Sequence, residues 1–433
     1  MAAMLLLALA FSAPTGAGAG ANVTASGPPA LVHQITKPGA QAKFPATLEW
    51  VGGSDLWLVT SFSDQSDAFH EAGDTGQSFC SKDGVAWAPV NNTLGPWIVN
   101  GIVPPADPTE PSLGFSYMLK GEPDSDASHA YLQGYELAAT ASGVAQQAAL
   151  NVSLAFPEGH QLDPYGTSKT AFAMVVTGAV VKLRSGGHLA TLYGTYKGDG
   201  AMSPTHYSLV AAKSLDGGRS WRWISTVASH TQSDANKDKL CKMPSESSTV
   251  YLKGGKGTLF TVMRSSGGAL CQTTSTDEGA SWANPEPMPP VPGPGGGYAS
   301  IPAGVEPKLR VLPSGRLALT TGRPGIFLYV ADDPGNGKPP TSWPTKFSIG
   351  AAHNKLVTDR SLRFRSDAPG GGVNGTTSYT GLAVTRGGGG VDAAAAEGGD
   401  DVVFVSYDRL GNGWGTVGQG ETSAVFVMKL TIH

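Results

Sequence analysis

Short apolar runs separated by glycine-rich turns recur along most of this chain, and residues 246–282 show the pattern best. Apolar runs that begin at Thr249, Thr258 and Leu270 are separated by the turns KGGKG and SSGG. Short strands joined by such turns are typical of an antiparallel meander. A meander that recurs along a chain is the blade of a propeller, so the pattern predicts an all-β fold.

One turn motif recurs at the ends of these units. Its three copies are Ser275-x-Asp277-x-Gly279-x-x-Trp282, Ser214-x-Asp216-x-Gly218-x-x-Trp221 and, one residue shorter, Ser81-x-Asp83-Gly84-x-x-Trp87. The Ser and Asp side chains can bond to backbone N–H groups of the turn, Gly can take a positive φ, and Trp can fold into the core. The motif resembles the Asp-box, the bacterial neuraminidase repeat of the sialidase superfamily. In that family the boxes lie at the rim, so we interpret the three aspartates as structural.

The recurrence of these units predicts a six-bladed, sialidase-like β-propeller. We assign the blades to residues 43–90, 98–156, 173–221, 246–282, 305–343 and 378–415, and the second of these lacks the motif. The last apolar run, SAVFVMKLTIH, finishes a sheet. Propellers often close by pairing strands from both chain ends, so we expect residues 31–35 to join that sheet. The prediction is one domain over residues 30–433.

The composition agrees with a turn-dense β protein. The 433 residues include 59 Gly and 31 Pro, and only 15% of them are charged. The formal net charge of -4 gives no indication of binding to nucleic acid or to an anionic membrane surface. No stretch after the N-terminal leader is long and apolar enough to predict a membrane span.

Residues 1–21 predict a secretory signal peptide. An apolar run from Met4 to Phe11 precedes small residues of the A-x-A type, although no Lys or Arg comes before the run. The alternative is a disordered Ala/Gly leader. Four Asn-x-Ser/Thr sequons agree with a secreted or lumenal glycoprotein. They start at Asn22, Asn91, Asn151 and Asn374.

The three cysteines leave at least one thiol unpaired within a monomer. Cys241 and Cys271 belong to the same predicted blade, so they are favoured as a disulfide over pairs that include Cys80. The spacing of the three cysteines matches no zinc-site pattern. We expect neither a metal nor a cofactor.

The resemblance to sialidases covers most of the chain from Lys43 onward and implies a set of site residues. Sialidases use a Tyr–Glu pair for nucleophilic attack, three arginines for the substrate carboxylate and an Asp as acid/base. Tyr379, in the strand SYTGLAV, matches the nucleophile, and Glu246 matches its activating Glu. A neutral phenol suits this role because a carboxylate on the anomeric carbon does not repel it. The alternatives are a core tyrosine and a plain Glu–Arg salt bridge.

Two arginines match members of the carboxylate clamp. Arg264 follows Glu246 by 18 positions, and Arg323 lies in the fixed setting Gly-Arg-Pro-Gly. A guanidinium offers a two-pronged contact to a carboxylate that an ammonium cannot give. The third position departs from the family pattern, because Lys43 stands where family members have the Arg of Phe/Tyr-Arg-Ile-Pro. This departure puts specificity for sialic acid in doubt.

The acid/base residue is expected in the loop SFSDQSDAFHEAGD. We favour Asp67, then Asp64 and then Asp74. His70 and Glu71 in the same loop are further candidates. Nothing in the sequence separates these residues well, and a solvated loop without a catalytic role is the alternative.

Three functional hypotheses fit these residues. The first is a secreted, retaining exo-glycosidase of sialidase type that removes a terminal sialic acid or related acidic sugar from sialylated or other acidic glycoconjugates. The second is a non-catalytic propeller that binds glycans or other partners. The third is a glycosidase or lyase acting on a different uronate-like sugar. Glu246, Arg264 and Tyr379 favour the enzyme, whereas Lys43 favours the binding protein.

Overall fold

The computed structural model gives a chain that is mostly β. The residues that it describes are 20–35, 41–51, 55–63, 75–90, 99–104, 110–120, 129–140, 143–162, 174–176, 178, 180–194, 196–197, 207–229, 241–254, 257–266, 268–292, 298–299, 301, 304–323, 325–364, 375–385, 399–410 and 422–433. Residues 1–19 of the predicted leader lie outside these ranges. Among the described residues, no helix is long and apolar enough to cross a membrane.

The strands are numbered in chain order. The first half of the chain contains β1 (Val23–Ala25), β2 (Ala30–Ile35), β3 (Gln41–Val51), β4 (Asp55–Ser63), β5 (Thr75–Ser81), β6 (Ala88–Pro89), β7 (Val99–Val103), β8 (Ser112–Lys120), β9 (His129–Thr140), β10 (Gly143–Ala155), β11 (Gln161–Leu162), β12 (Met174–Val176), β13 (Val181–Lys182), β14 (His188–Gly194), β15 (Tyr196–Lys197), β16 (Ser208–Ser214) and β17 (Ser220–Ala228). The second half contains β18 (Ser247–Tyr251), β19 (Leu259–Met263), β20 (Cys271–Ser275), β21 (Glu286–Pro287), β22 (Val291–Pro292), β23 (Tyr298–Ala299), β24 (Val305–Val311), β25 (Leu317–Gly322), β26 (Ile326–Ala331), β27 (Thr345–Ser348), β28 (Gly381–Val384), β29 (Asp401–Leu410) and β30 (Ser423–Ile432). One α-helix, α1 (Ile349–Leu356), and one 3-10 helix, Arg360–Leu362, follow β27.

Three sheets are four-stranded antiparallel meanders of consecutive strands. They are β3-β4-β5-β6, β18-β19-β20-β21 and β24-β25-β26-β27. They overlap the first, fourth and fifth blades predicted from the sequence, although β3 begins before residue 43, β21 lies beyond residue 282 and β27 lies beyond residue 343. The hydrophobic runs and glycine-rich turns therefore locate these meanders but not their exact ends.

The second and third predicted blades are joined into one nine-stranded sheet. The join is a parallel pairing between β10 and β17, in which Ser153, Leu154 and Ala155 lie opposite Ser220, Trp221 and Arg222. The strand order is β12-β14-β16-β17-β10-β9-β8-β7, with β13 paired to β14. The sequence predicts two separate meanders here, so the continuous sheet is a difference. The count of six blades stays a prediction.

The last sheet combines both ends of the described chain. Strands β28, β29 and β30 are antiparallel neighbours, and β2 pairs with β30 through partners that run from Ala30–Val427 to Ile35–Ser423. This confirms that residues 31–35 join the final sheet. The short strand β1 also pairs with β30, ahead of the predicted domain start at residue 30.

Apolar side chains fill the space between neighbouring sheets. One such cluster includes Val250 and Phe260 from the sheet that begins with β18, and Leu309, Leu319 and Trp343 from the region of the next sheet. Burial of this kind of surface contributes most of the stability of a β fold without long helices. The predicted Cys241–Cys271 disulfide is present, and Cys80 is a buried free thiol.

Candidate active site

Glu246 and Arg264 meet because of the register of β18 and β19. Ser247 lies opposite Met263 at the end of this ladder, so the two flanking residues are also opposite each other. The Arg264 backbone N–H donates to the Glu246 carbonyl oxygen at 2.8 Å. Arg264 Nη1 then donates to Glu246 Oε2 at 3.0 Å. The Glu246 side chain is buried and that of Arg264 is partly exposed, so the guanidinium can still contact a ligand.

Tyr379 reaches the same carboxylate from the last sheet. It lies just before β28, and its hydroxyl donates to Glu246 Oε1 although 133 residues separate the two. Only 7% of Tyr379 is exposed. One Glu246 carboxylate oxygen therefore accepts a hydrogen bond from the phenol, and the other accepts a hydrogen bond from the guanidinium. This is the arrangement that a general base for a phenol nucleophile requires.

The backbone before Tyr379 has an unusual conformation. Ser378 has a φ of 65°, in the left-handed region that non-glycine residues rarely adopt. It packs closely on Gly322, where a Cβ atom would lie only 2.6 Å from the Ser378 Cβ. Gly322 thus leaves the space that this strained segment needs. Strain of this kind costs about 1–3 kcal/mol and is common at functional sites.

Arg323, the second predicted clamp residue, lies near the Tyr379 ring. Its guanidinium carbon is 5.8 Å from the ring centroid, and its Nη2 donates to the Thr377 carbonyl oxygen at 2.9 Å. Arg323 also has a positive φ, of 63°. Arg323 is partly buried.

Lys43 and Phe44 enter the site from β3. The Phe44 ring meets the Tyr379 ring edge-on, with centroids 5.0 Å apart. Lys43 Nζ lies 5.5 Å from the Phe44 ring centroid. Lys43 is thus near the site, as predicted, but its exposed fraction is 0%. A substrate would reach its ammonium group only after some movement of the surrounding residues.

Asp408, at the end of β29, was given no role by the sequence reasoning. Its carboxylate accepts hydrogen bonds from the Phe44 backbone N–H at 3.0 Å and from the Thr377 backbone N–H at 2.8 Å. The Thr376 hydroxyl donates at 2.6 Å, and the Thr377 hydroxyl also donates. Burial raises the pKa of Asp408, and these hydrogen bonds oppose the shift. Asp408 therefore ties the segment before Tyr379 to the segment that carries Phe44.

The electrostatics of the site favour a neutral phenol in the free protein. Burial raises the pKa of Tyr379 well above 10, and the negative charge of Glu246 adds to this effect. Arg264 opposes the shift, while Tyr193 and Glu306 add to it. The pKa of Arg264 is raised, first of all by Glu246. The hydroxyl therefore keeps its proton until a reaction draws the proton toward Glu246.

Glu306 is a second buried carboxylate that the sequence reasoning missed. Its backbone N–H donates to Glu246 Oε2 at 2.9 Å, and its side chain forms an ion pair with Lys308 at 2.7 Å. The run Val-Glu-Pro-Lys contains a signal for an irregular strand next to Glu306, because Pro307 cannot donate to a strand ladder. Tyr193 and Tyr207 lie near the same group of charges, and their rings meet edge-on with centroids 5.4 Å apart.

The structure thus brings together five of the six predicted site residues. Four of them, Glu246, Arg264, Arg323 and Tyr379, are linked by direct contacts or by one shared ring, and Lys43 lies behind Phe44. The sixth, Asp67, and its alternatives at positions 64 and 74 lie outside the described residues. Within the described part of the chain, no group of three or more His, Cys, Asp or Glu residues could hold a metal ion.

The three turn motifs have the predicted hydrogen bonds, and the third lies at the end of its sheet remote from Glu246. In the third copy, Ser275 Oγ donates to Asp277 Oδ1 at 2.8 Å and accepts from the Gly279 N–H at 2.8 Å. In the second, the Trp221 indole donates to the Gly218 carbonyl oxygen at 2.8 Å. The Asp277 carboxylate is therefore occupied within its own turn, which supports the structural interpretation.

Comparison with protein-family models and with curated proteins finds no match. Among solved structures, a protein of unknown function from Dyadobacter fermentans has a TM-score of 0.60 at 17% identity, covering 95% of this chain and 99% of that chain. Trypanosoma rangeli sialidase in complex with the inhibitor DANA has a TM-score of 0.50 at 12% identity, covering 92% of this chain. The same enzyme as a covalent intermediate with 2,3-difluorosialic acid has a TM-score of 0.51 at 11% identity. The chain spans only 55% of the sialidase in the DANA complex. At these identities the likeness shows a shared fold.

Proposed function

We propose that this protein is a retaining glycoside hydrolase of sialidase type, built on a six-bladed propeller, that removes a terminal acidic sugar from a glycoconjugate. The observation that carries the proposal is the hydrogen bond from the buried Tyr379 hydroxyl to Glu246, whose other oxygen is held by Arg264. A buried Tyr–Glu pair beside two accessible guanidinium groups suits attack on a sugar that bears its own carboxylate. The fold shared with a sialidase agrees with this chemistry.

In the proposed reaction, the Tyr379 oxygen attacks the anomeric carbon while its proton passes to Glu246 Oε1. A covalent glycosyl–tyrosine forms, and the bond to the leaving oxygen breaks. Asp67, which follows β4 in the sequence, protonates that oxygen and later activates the water that releases the sugar. Arg264 and the Glu306 N–H hold the second oxygen of Glu246, so the carboxylate keeps one orientation throughout.

The substrate carboxylate is proposed to bind Arg264 and Arg323. Arg264 shares the Glu246 carboxylate with the Tyr379 hydroxyl, and Arg323 lies near the Tyr379 ring, so both guanidinium groups are close to the proposed nucleophile. Lys43 adds positive charge from behind Phe44, without a two-pronged contact. Sialic acid and other sugars with a carboxylate beside the ring oxygen are the proposed substrate class. Secretion is proposed on the leader and the sequons alone.

The test is turnover of a panel of fluorogenic sialosides and uronosides by the wild-type protein and two variants. Tyr379→Phe removes only the proposed nucleophile, so its kcat should fall by at least about a thousandfold. The matched control is Tyr251→Phe, because the Tyr251 hydroxyl bonds to Glu278 and takes no part in the site. This control should keep wild-type turnover. Wild-type rates in folded Tyr379→Phe would contradict the mechanism.

A non-catalytic glycan-binding protein is the second candidate, and the burial of Lys43 is the observation that favours it. A site with two accessible guanidinium groups and no third arginine at position 43 has lost part of the carboxylate clamp. In that case the wild-type protein would bind acidic glycans in calorimetry but release no fluorophore. Tyr379→Phe would then bind with unchanged affinity.

A further inference from the structure

Strand β24 carries a bulge next to the Tyr379–Glu246 pair. Val305 lies opposite Gly322 and Lys308 lies opposite Thr320, so two residues on β24 face one on β25. Glu306 and Pro307 are the two residues that face Thr321. Glu306 has a φ of 37°, and its N–H leaves the ladder to donate to Glu246 Oε2 at 2.9 Å. The bulge therefore aims a backbone donor at the proposed general base.

The same bulge also brings a second carboxylate into the buried region. The Glu306 side chain is 2% exposed and accepts from Lys308 Nζ at 2.7 Å, and the Lys308 side chain is 5% exposed. An ionised carboxylate in such a place is costly unless a partner balances its charge. Lys308 is that partner, two residues along the strand.

The charge of Glu306 acts on the reacting groups. It is one of the causes that raise the pKa of Tyr379, after burial and Glu246. In the part of the chain that the structure describes, the titratable groups that act on Glu246 or on its partners are Arg264, Tyr379, Tyr193, Tyr207 and Glu306, and Lys308 is paired with Glu306. Of these, only Glu306 brings another carboxylate close to the base. Its net effect therefore depends on whether Lys308 remains charged and in place.

We infer that the Glu306–Lys308 pair is a positioning element that lets the bulge deliver its N–H to Glu246 without adding net negative charge beside the base. Its role in catalysis rests on the proposed function, whereas its effect on the Glu246 carboxylate does not. Removing either partner should unbalance the site in an opposite sense. Glu306→Gln removes the negative charge of the pair, and Lys308→Met removes its positive charge.

The test compares these two variants and the double variant Glu306→Gln/Lys308→Met with the full-length wild-type protein. Glu306→Gln should move the acid limb of the kcat/KM profile down by about one pH unit, since a nearby cation favours the ionised base. Lys308→Met should move the acid limb up by about as much. Without Lys308, Glu246 and Glu306 are two coupled carboxylates, and the first proton that the pair binds is shared between them. The double variant should return close to the wild-type profile.

A second readout does not need turnover. The carboxyl groups of protein labelled with 13C at glutamate Cδ are titrated by NMR, and Glu246→Gln identifies the Glu246 signal by its loss. The titration of this signal should move in the same two opposite directions. Arg310→Met is the matched control, because Arg310 lies two residues further along β24 and pairs with Glu49. It should move neither profile.

The outcomes separate the inference from the proposed function. Lower activity in both single variants with unmoved profiles would mean that the pair has only a structural role, and would overturn the inference. A wild-type protein without turnover on any acidic glycoside would refute the proposed function, while the NMR titration still decides the inference. If Lys308→Met does not fold, Glu306→Gln and the double variant decide it, since they must differ by the charge of Lys308.

Discussion

Two ends of one sheet use carboxylates in different ways. In the sheet β18–β21, Glu246 precedes β18 at one end, and Asp277 follows β20 at the other end. Asp277 accepts from Ser275, and from the Ser281 N–H at 2.9 Å, so its partners lie within four residues. Glu246 accepts from Arg264, Glu306 and Tyr379, which lie up to 133 residues away.

The two carboxylates also differ in what their surroundings do to charge. Burial alone would raise the pKa of Asp277, but hydrogen bonds from Ser281 and Ser275 lower this pKa below its ordinary value. The turn therefore holds an anion at neutral pH. At the other end, burial and Glu246 raise the pKa of Tyr379, so a proton is retained. The difference teaches that the Asp277 carboxylate is satisfied within its own turn, whereas the Glu246 carboxylate joins three sheets, as the proposed proton transfer requires.

Within the sheet β18–β21, the largest expected effect is at Glu246. Glu246→Gln removes the proposed base but keeps the size of the side chain, so kcat should fall by about 10²–10⁴-fold. Glu286→Gln is the matched control, because Glu286 lies on the outer strand of the same sheet and accepts from Gln272. It should leave kcat unchanged. Equal losses in both variants would point to a folding defect instead of a catalytic one.

The next effect concerns the indoles of the turn motifs. Trp221 is almost fully buried, so Trp221→Ala should lower the free energy of unfolding by about 3–5 kcal/mol. Trp282 is only partly buried and donates to Ser225 Oγ, so Trp282→Ala should cost less. Urea denaturation monitored by circular dichroism measures both. A larger loss for Trp282 would show that burial does not set the order.

The pH dependence of stability should report a buried histidine. Burial lowers the pKa of His353 to about 4, below the ordinary 6.5. Between pH 6.5 and 4 the unfolded chain therefore binds more protons than the folded chain. The contribution of His353 to stability is complete above pH 6.5 and is lost as the pH falls toward 4. The loss should reach about 3 kcal/mol. Burial also lowers the pKa values of His33 and His188, which act in the same direction.

His353→Gln separates these contributions. This variant should be less stable at pH 7, because the hydrogen bonds of His353 to Tyr407 and to the Leu362 carbonyl oxygen are changed. Its stability should fall less between pH 6.5 and 4 than that of the wild type. The carboxylates of the turn motifs contribute at lower pH, below their ordinary 3.8, because their pKa values are lowered. An unchanged slope in His353→Gln would contradict the assignment.

The smallest expected effect is at Asp277. Asp277→Asn keeps one oxygen acceptor in the exposed turn, so the free energy of unfolding should fall by about 1 kcal/mol or less. The kcat per folded molecule should not change, because the turn lies at the end of the sheet remote from Glu246. A large loss of kcat in well-folded Asp277→Asn would overturn the contrast between the two ends.

Features that depend on nearby residues could be predicted from the sequence. The turns around Asp216 and Asp277, the meander at 246–282 and the Cys241–Cys271 disulfide follow from short patterns or a shared blade. The meeting of Tyr379 with Glu246 was predicted through the resemblance to sialidases, because no local pattern relates residues so distant.

Features that depend on backbone contacts between distant segments could not be predicted. The parallel pairing of β10 with β17 is made by main-chain groups that every residue carries, so no side-chain pattern marks it. The role of Glu306 depends on the bulge in β24. The role of Asp408 depends on two segments that meet near the end of β29. The burial of Lys43 likewise depends on what packs over β3.

The most direct test of the central claim is to trap the covalent intermediate. The protein is incubated with a fluorinated acidic glycoside that forms the glycosyl–enzyme quickly and releases it slowly, and the labelled peptide is then identified by mass spectrometry. We expect one added sugar on Tyr379 in the wild-type protein and no label in Tyr379→Phe. A label on another residue, or turnover by the wild type without any covalent species, would contradict the central claim.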